Sequence, residues 1–245
     1  MAALWQACFG DDKLTVDSFF ESPAYESVIP VVYCENGEIV SQLFLTDGEV
    51  RDKNLVYPSY YLYAACTAPV CRGRGIMGRL IEEVKETAAA NSRDFIFLKP
   101  AEEHLYSYYS KFGFINTCRS RVYDIDYLSK NPLPFDDIPV FYSGACRDFA
   151  CGFAGVSGGE FACEFNEEFG FAQYEISDGA LCISDIDISS GVADYAVLLS
   201  EKNNCPQAFV TLPCPGDLSG SKHGMVCSCT GREIPENVFL NFTLD

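Results

Sequence analysis

The segment that constrains this chain most joins an apolar strand to an amphipathic helix through a loop that contains glycines. The strand, Ser59–Cys66, reads SYYLYAAC, and the loop after it reads TAPVCRGRG. From Arg72 to about Ala89 the residues indicate a helix, because the apolar ones recur at helical spacing and share one face. The apolar residues of that face are Ile76, Met77, Leu80, Ile81 and Val84. The sequence therefore predicts a strand–loop–helix unit in the first half of the chain.

The loop of this unit has the composition of a phosphate-binding site. Glycines allow backbone N–H groups to crowd around an anion, and a helix N-terminus adds partial positive charge. Arg72 and Arg74 add two full positive charges to the same loop. For the loop taken alone, an ordinary helix start that happens to contain glycines is the alternative interpretation.

Three glycines of the loop match a dinucleotide-binding pattern by their spacing, but their position argues against it. Gly73, Gly75 and Gly78 satisfy G-x-G-x-x-G. In a dinucleotide site the first glycine directly follows the strand, whereas residues 67–72 intervene here. The acidic residue expected about 20 positions later should end the next strand, whereas Asp94 begins it. No Gly-Lys-Ser/Thr sequence occurs, so a Walker A loop is also excluded.

Charge divides the chain into two unequal halves. The whole chain of 245 residues carries a net charge of −18, with −5 over residues 1–130 and −13 over residues 131–245. A polar, proline-rich segment at 130–137 separates the halves and predicts two domains, at residues 1–128 and 138–245. Because an acidic surface repels phosphate backbones and anionic lipids, we expect neither nucleic acid nor membrane as a partner. The same charge favours a cationic small molecule.

The thirteen cysteines predict reduced thiols rather than a disulfide framework or a metal site. Their number is odd, no C-x-x-C pair occurs, and their spacings match no zinc motif. A redox or metal protein, the alternative, would show disulfides or bound metal. The N-terminal segment has no basic residues ahead of its apolar run, so it does not resemble a signal peptide. We therefore expect a cytoplasmic protein without a metal.

The remaining elements follow from periodicity and turn residues. In the first half we predict a helix at 13–20, strands at 27–34, 38–45 and 94–98, a helix opening at residues 100–103 and ending at 113, and a strand from 114 onward. In the second half we predict strands at 149–155, 161–165, 171–176, 180–186, 207–212 and 237–243, and a helix near 189–202.

With these elements in place, the glycine loop resembles a known family motif. The sequence PVCRGRGI, after an apolar strand, is similar to motif A of the GCN5-related N-acetyltransferases (the GNAT family), whose pattern is Arg/Gln-x-x-Gly-x-Gly/Ala. Arg72 and Gly75 match that pattern, and Met77 departs from it at the last position. A larger residue there is similar to the Eis-type branch of the family.

A second block resembles motif B of the same family. The sequences FIFLKPA and YYSKFGF follow the first block in the family's order and spacing. The helix of this motif ends in Tyr-x-x-x-Gly-Phe, which Tyr109, Gly113 and Phe114 match. The resemblance covers roughly residues 1–126. The second half resembles the degenerate second acetyltransferase-like domain of Eis-type proteins, although this chain is shorter than theirs.

The resemblance implies a fold and a cosubstrate site. The expected fold class is α+β, with a GNAT-type mixed sheet and flanking helices, followed by a smaller, degenerate GNAT-like domain. The expected cosubstrate is acetyl-CoA, with the backbone of Cys66 and Thr67 holding its pantetheine arm. The diphosphate would lie on the backbone of Arg72, Gly73, Arg74, Gly75, Ile76, Met77 and Gly78.

The resemblance also assigns the catalytic residues. Tyr109 would act as the general acid beside the thioester sulfur, because a leaving thiolate needs a proton. A core aromatic residue, beside Tyr106 and Tyr108, is the alternative for that position. In Eis-type enzymes the terminal carboxylate is the base, so Asp245 is the corresponding candidate here, although the apolar end of the chain equally fits a plain last strand. The only histidines, His104 and His223, offer no local nucleophile motif.

The function implied is transfer of acetyl from acetyl-CoA to a primary amine by direct attack. Its acceptor would be cationic, such as a polyamine, an aminoglycoside or a lysine side chain, because the surface is acidic. A non-catalytic sensor or interaction protein that binds acyl-CoA is the alternative, since both functions require the same loop. The sequence does not indicate an oligomeric state.

Overall fold

A computed structural model shows a large mixed sheet with helices on both of its faces. The structure describes residues 1–141, 146–148, 151–152, 161–188, 191–214 and 219–240. Within them, twelve strands join into one sheet. The expected fold class, a mixed sheet with flanking helices, is thereby confirmed.

Seven helices are labelled here in chain order. Helices α1 to α7 are Ala2–Phe9, Lys13–Glu21, Pro23–Glu26, Ile76–Ala90, Glu103–Ser110, Ile125–Lys130 and Val192–Lys202. A 3₁₀ turn at Pro69–Cys71 precedes α4. Strands β1 to β12 are Ile29–Glu35, Glu38–Asp52, Leu55–Thr67, Phe95–Leu98, Ile115–Asp124, Val140–Phe141, Ala162–Asn166, Gly170–Ser177, Ala180–Ile186, Gln207–Pro213, Ser221–Ser228 and Phe239–Leu240.

Turn and capping residues explain where several elements begin. The β1–β2 hairpin turns at Asn36 and Gly37, which both have positive φ, at 54° and 83°. This is the conformation that a two-residue hairpin of type I′ requires. Helix α2 begins after Asp12, whose carboxylate accepts a hydrogen bond from the backbone N–H of Thr15 at 2.8 Å, the usual N-cap geometry.

The sheet brings a strand of the second half into the middle of the first half. Its order is β12-β6-β2-β3-β4-β11-β5-β10-β9-β8-β7, with β1 paired to β2. Strand β11 therefore lies between β4 and β5 and is antiparallel to both. The division into domains at 1–128 and 138–245 stays a prediction, but residues 221–228 are part of the sheet on which the first half is built.

Two apolar clusters lie on opposite faces of this sheet. Helices α1 and α2 cover the face that we call the α1 face, whose cluster includes Trp5, Phe19 and Tyr61. Helices α4 and α5 cover the other, the α4 face, whose cluster includes Leu80 and Tyr109. A third cluster, between α7 and strands β8 to β10, forms the core of the second half.

Most predicted elements occur, with shifted ends. Helix α4 begins at Ile76 rather than at residue 72, and α5 begins at Glu103. Helix α1 and strands β6 and β11 were not predicted. Of the strand predicted at 149–155, residues 151 and 152 are helical, and the others lie outside the described residues, as do residues 241–243 of the last predicted strand. In the part of the chain that the structure describes, no helix is long and apolar enough to cross a membrane.

Candidate functional site

The glycine loop, residues Arg72–Gly78, leads from the end of β3 into helix α4. Gly73 and Gly75 have φ values of 75° and 72°, a left-handed conformation that strains residues with a side chain. A Cβ atom at either position would meet nothing within 4 Å, so the space beside both glycines is open. Gly75 is the N-cap of α4, and the first intrahelical bond runs from the N–H of Arg79 to the Gly75 carbonyl at 3.1 Å. The N–H groups of the first turn of α4 are therefore available to an anion in that space.

The two arginines of the loop do not play equal parts. The Nε of Arg72 donates to the Thr67 carbonyl at 3.0 Å, so its guanidinium lies against the end of β3. Arg74 pairs with Glu35 of β1 through two hydrogen bonds, at 2.8 and 2.5 Å. This pair lowers the pKa of Glu35 and raises that of Arg74. Arg74 therefore anchors the loop to β1, a contact that its sequence position did not predict.

Ile76, Met77 and Gly78, the remaining predicted residues of the loop, also contribute to packing. Ile76 is buried, and Met77 packs against the cluster of the α4 face. Gly78 lies on α4 where a Cβ atom would come within 3.0 Å of the Phe112 ring. A glycine at this position thus allows α4 to approach Phe112, so Gly78 contributes to helix packing in addition to its N–H group.

Strands β3 and β4 separate before β3 reaches this loop. They pair in parallel only at three positions, from Ser59 with Phe95 to Tyr61 with Phe97. Strand β3 then continues through residues 62–67, with a bulge at Ala64, whose φ is 48°. No described strand pairs with this continuation on the side opposite β2. Its backbone groups on that side can therefore accept an extended ligand as a strand would be accepted.

Cys66 and Thr67 lie at the loop end of this unpaired stretch. The Ser41 hydroxyl donates to the Cys66 carbonyl at 3.0 Å and lies 2.9 Å from the Thr67 hydroxyl. Burial, together with a hydrogen bond to the Cys8 thiol, raises the pKa of the Cys66 thiol. The thiol is thus held protonated, and the role of the Cys66 and Thr67 backbones toward a ligand stays a prediction.

A cavity of about 300 Å³, which we call the fork cavity, lies where β3 and β4 separate. It is lined by Trp5, Phe9, Asp11, Tyr61, Leu62, Tyr63, Ala64, Ala65, Leu98, Lys99, Pro100, Ala101, Leu105 and Tyr109. Trp5 and Tyr61 belong to the cluster of the α1 face, whereas Tyr109 belongs to that of the α4 face. The fork cavity therefore passes between the two strands and connects the faces of the sheet.

Tyr109 lines the fork cavity from helix α5. Its ring packs against Tyr108 and Phe114, with centroids 5.4 and 5.7 Å away, and the residue is 8% exposed. Its ring is therefore both a core aromatic residue and part of the cavity wall, and the general-acid role stays a prediction. Burial, reinforced by Tyr108, raises the pKa of the Tyr109 phenol. The hydroxyl consequently stays protonated at neutral pH.

Two lining residues on the N-terminal helix and its loop were missed as site residues by the sequence analysis. The Nε1–H of Trp5 donates to a carboxylate oxygen of Asp11, and both residues line the fork cavity. A lone tryptophan in an apolar segment is typical of core packing, so no local pattern indicated this position. Of the strand tyrosines, Tyr61 and Tyr63 line the cavity, whereas Tyr60 lies in the cluster of the α4 face.

Asp245 lies outside the described residues, but the chain can be followed to Leu240. The Leu240 side chain lies so close to Gly224 that a Cβ there would overlap it, and the same Cβ would lie 3.2 Å from the Leu98 carbonyl. Leu98 lines the fork cavity. Strand β12 thus ends beside Leu98, which is the last residue of β4 and lines the fork cavity.

The two histidines do not form a second catalytic centre at the cavity. His104 is exposed on α5 beside Glu102. His223 is buried, with Nδ1 3.1 Å from the Ser120 hydroxyl and Nε2 2.9 Å from the Leu240 carbonyl. Neither histidine lines the fork cavity, so both remain outside the candidate site.

A second cavity and a metal centre are the other kinds of site that could bind a ligand. A larger cavity of about 450 Å³ lies between α6 and the start of α7, and none of the site residues predicted from the sequence lines it. Among the described residues, no group of three or more His, Cys, Asp or Glu side chains is placed to hold a metal ion. All thirteen cysteines are described, and none of them forms a disulfide bond.

Comparison with known proteins agrees with the geometry of the loop and the fork. A family model described as an acetyltransferase (GNAT) domain matches residues 1–115. The match covers just under half of the chain, 115 of its 245 residues. The resemblance of the glycine loop and of helix α5 to the GNAT family is therefore confirmed, and acyl transfer in general is the activity that this domain supports. A search of curated proteins finds none that matches the chain.

Solved structures with the GNAT fold extend the comparison to the second half. Eis1 from Mycobacterium abscessus aligns with 93% of this chain and 70% of its own, with a TM-score of 0.62 and 9% identity. A GCN5-related N-acetyltransferase from Anabaena variabilis ATCC 29413 aligns with 92% of this chain and 68% of its own, with a TM-score of 0.59 and 13% identity. A GCN5-related N-acetyltransferase from Kribbella flavida aligns with 82% of this chain and 60% of its own, with a TM-score of 0.55 and 15% identity. At these identities the likeness concerns the fold alone, and it covers both halves of the chain.

Proposed function

We propose that this protein is an N-acetyltransferase that moves the acetyl group of acetyl-CoA to a primary amine by direct attack. The observation that carries the proposal is the fork cavity, because it connects the two faces of the sheet beside an unpaired strand edge. A donor bound along β3 on the α4 face and an acceptor entering from the α1 face would meet inside it. Bringing two reactants together in this way is a main source of enzymatic rate enhancement.

The glycine loop is the proposed site for the diphosphate of acetyl-CoA. The space beside Gly73 and Gly75 is open, and the first turn of α4 directs its N–H groups there. Residues 62–67 of β3 run from the fork cavity to this loop, a distance of about 20 Å at the usual rise per strand residue. An extended pantetheine arm has a similar length, so its thioester end would reach the cavity while Cys66 and Thr67 bind its amides.

Tyr109 is the proposed general acid. Tyr109 lines the fork cavity together with Leu98 and Ala65, and the leaving sulfur would lie in this cavity. Because burial raises its pKa, the phenol carries a proton throughout the neutral range. It can therefore donate a hydrogen bond to the sulfur as negative charge develops and supply the proton that the thiolate takes.

The side chain of Asp245 is the proposed base. Leu240 lies beside Leu98, which lines the cavity, and five further residues of chain span at most about 16–18 Å. A carboxylate at position 245 is therefore within reach of an amine in the fork cavity. It would both attract a cationic acceptor and accept its proton, directly or through water.

The alternative, a non-catalytic sensor that binds acyl-CoA, differs only in turnover. The deciding experiment incubates the protein with acetyl-CoA and a panel of primary amines and measures free CoA by chromatography. A chromatographic readout is needed because a thiol reagent would also react with the free cysteines of the protein. An enzyme releases CoA many times per protein molecule and only with an amine present, whereas a sensor binds acetyl-CoA without release.

A further inference from the structure

Strand β12 is too short to be held in place by its own pairing. It consists of Phe239 and Leu240 and pairs in parallel with β6, which also has two residues. A backbone hydrogen bond joins the N–H of Phe239 to the Pro139 carbonyl at 3.0 Å. Because a two-stranded ladder of this length is marginal in water, side-chain contacts decide where the strand ends.

His223 of β11 makes such contacts with both residues of β12. Its Nε2 lies 2.9 Å from the carbonyl oxygen of Leu240, and its Nδ1 lies 3.1 Å from the Ser120 hydroxyl. Because a carbonyl oxygen only accepts hydrogen bonds, Nε2 carries a hydrogen and donates it. The imidazole also stacks on the Phe239 ring, with centroids 5.0 Å apart and 14° between the ring planes. The side chain of His223 therefore connects β12 to β11 inside the protein, where the residue is 6% exposed.

The Leu240 side chain fills a notch in the sheet next to His223. The notch exists because Gly224 has no side chain, and a Cβ atom there would overlap Leu240. The Cys118 thiol forms a hydrogen bond with the Leu240 backbone. The same Cβ atom would lie 3.2 Å from the carbonyl of Leu98, which lines the fork cavity. The position of Leu240 thus determines how this part of the cavity wall is supported.

We propose that His223 is a positioning residue for acetyl transfer, which fixes the end of β12 against the cavity wall at Leu98. It acts through Leu240, since it does not itself line the fork cavity. This inference rests on the proposed function, in which Asp245 is the base and follows Leu240 by five residues. A carboxylate whose chain starts from a fixed point samples fewer unproductive positions than one that follows a loose strand. The expected effect of His223 is therefore on kcat and not on acetyl-CoA binding.

A matched pair of variants isolates the bond between His223 and Leu240. In His223→Gln, the amide nitrogen can take the place of Nε2 and donate to the Leu240 carbonyl. In His223→Asn, which is one methylene shorter, the amide reaches only the place of Nδ1 beside Ser120. Both variants lose the imidazole ring and its stacking on Phe239. A difference between them therefore reports the bond to Leu240.

The first readout is structural and needs no substrate. Hydrogen exchange at the Phe239 amide, followed by NMR, reports how often β12 opens away from Pro139. We expect the exchange to be about tenfold faster in His223→Asn than in the wild type, as for the loss of one buried hydrogen bond. In His223→Gln it should stay close to the wild-type rate. Equal rates in all three proteins would overturn the inference.

The second readout is kinetic and uses the best amine of the panel. The kcat should fall about 10–100-fold in His223→Asn, the size expected for a displacement of about 1 Å, and His223→Gln should retain most of it. The Kd for acetyl-CoA should be unchanged in both. When Asp245→Asn is already present, His223→Asn should cause little further loss, because both changes act on the same end of the chain. His104→Gln, at the exposed histidine, should have no effect.

The outcomes separate this inference from the proposed function. If the wild type acetylates amines and His223→Asn has the same kcat as His223→Gln, the inference is wrong although the enzyme function holds. If the wild type acetylates no amine, the proposed function fails, and faster Phe239 exchange in His223→Asn alone would still support the tether. If His223→Asn does not fold, Gly224→Ala displaces Leu240 instead and should lower kcat; a wild-type kcat in Gly224→Ala would overturn the inference.

Discussion

Replacing Tyr109 by phenylalanine removes one hydroxyl and leaves the ring in place. The ring is buried against Tyr108 and Phe114, and phenylalanine keeps both contacts. Among the described residues, none forms a hydrogen bond with the Tyr109 hydroxyl, so its removal leaves no buried partner unsatisfied. We therefore expect the free energy of unfolding to change by less than about 1 kcal/mol.

The effect on catalysis should be far larger than the effect on stability. Loss of a general acid typically costs about 10²–10⁴ in rate, which corresponds to about 3–5 kcal/mol in the activation free energy. Because the hydroxyl acts on the leaving sulfur, kcat should fall and the KM for the amine should change little. The affinity for acetyl-CoA should also stay close to that of the wild type, since the loop is untouched.

The pH dependence supplies a check that packing alone would not reproduce. Burial raises the pKa of Tyr109, so the group stays protonated to a higher pH than an ordinary phenol, whose pKa is about 10. In the wild type, the decline of kcat at alkaline pH should therefore begin above that value. In Tyr109→Phe this decline should disappear, because the titrating acid is absent.

The assay measures free CoA by chromatography over a range of amine concentrations and pH values. Tyr108→Phe is the matched control, because it removes a neighbouring hydroxyl on the same helix that does not line the fork cavity. We expect the control to retain full activity. A kcat for Tyr109→Phe equal to that of Tyr108→Phe, under conditions where chemistry limits the rate, would refute the role of Tyr109 and leave it a core aromatic.

Three further changes test other parts of the account. Gly75→Val should abolish acetyl-CoA binding in calorimetry, because the new side chain fills the open space at a φ of 72°. The control, Gly179→Val, has a φ of 79° and equally open space in a distant turn, and it should bind acetyl-CoA normally. Equal loss of binding in both variants would point to backbone strain alone. Asp245→Asn should lower kcat at least about 10²-fold with little change in acetyl-CoA affinity, and unaltered turnover would exclude Asp245 as the base. Burial raises the pKa of Asp185 well above its usual value, so folding favours its protonated form, and its contribution to stability is lost as pH rises above about 4. Asp185→Asn should therefore raise the melting temperature at pH 7 and make the melting temperature depend less on pH. A lower melting temperature at pH 7 would contradict this prediction.

Local sequence patterns predicted the strand, the glycine loop and the helix of the proposed cosubstrate site because these elements are contiguous in the chain. The strand, the glycine loop and the start of α4 follow one another within residues 59–78, so their spacing already constrains their geometry. Tyr109 could be predicted in the same way, because the end of its helix carries the short pattern Tyr-x-x-x-Gly-Phe. What local sequence did not show is the side-chain partner of Arg74, because Glu35 lies on a strand nearly forty residues earlier in the chain.

The acceptor half of the site was less accessible because its walls come from distant segments. Trp5 and Asp11 lie near the N-terminus, Tyr61 and Tyr63 lie on β3, and only the fold brings them together. Each, read alone, resembles an ordinary packing or surface residue. An aromatic strand residue on either face of a sheet looks the same in sequence, so Tyr60 could not be distinguished from Tyr61 beforehand.

The missed strand β11 has a physical explanation of the same kind. Its sequence, SKHGMVCS, is short, contains glycine and begins with polar residues, so its strand propensity is weak. It is a strand because β4 and β5 flank it and satisfy its backbone hydrogen bonds on both sides. The absence of nucleic-acid and membrane partners and the cytoplasmic location stay predictions.

In the proposed mechanism, the glycine loop and the fork cavity serve a single acetyl transfer. The most direct test follows wild-type protein, Gly75→Val and Gly179→Val with acetyl-CoA and an amine panel, quantifying the acetylated amine by mass spectrometry and free CoA by chromatography. We predict one acetylated amine for each CoA released by the wild type and by Gly179→Val, and neither product with Gly75→Val. Release of CoA without an acetylated amine, or undiminished acetylation by Gly75→Val, would contradict the claim.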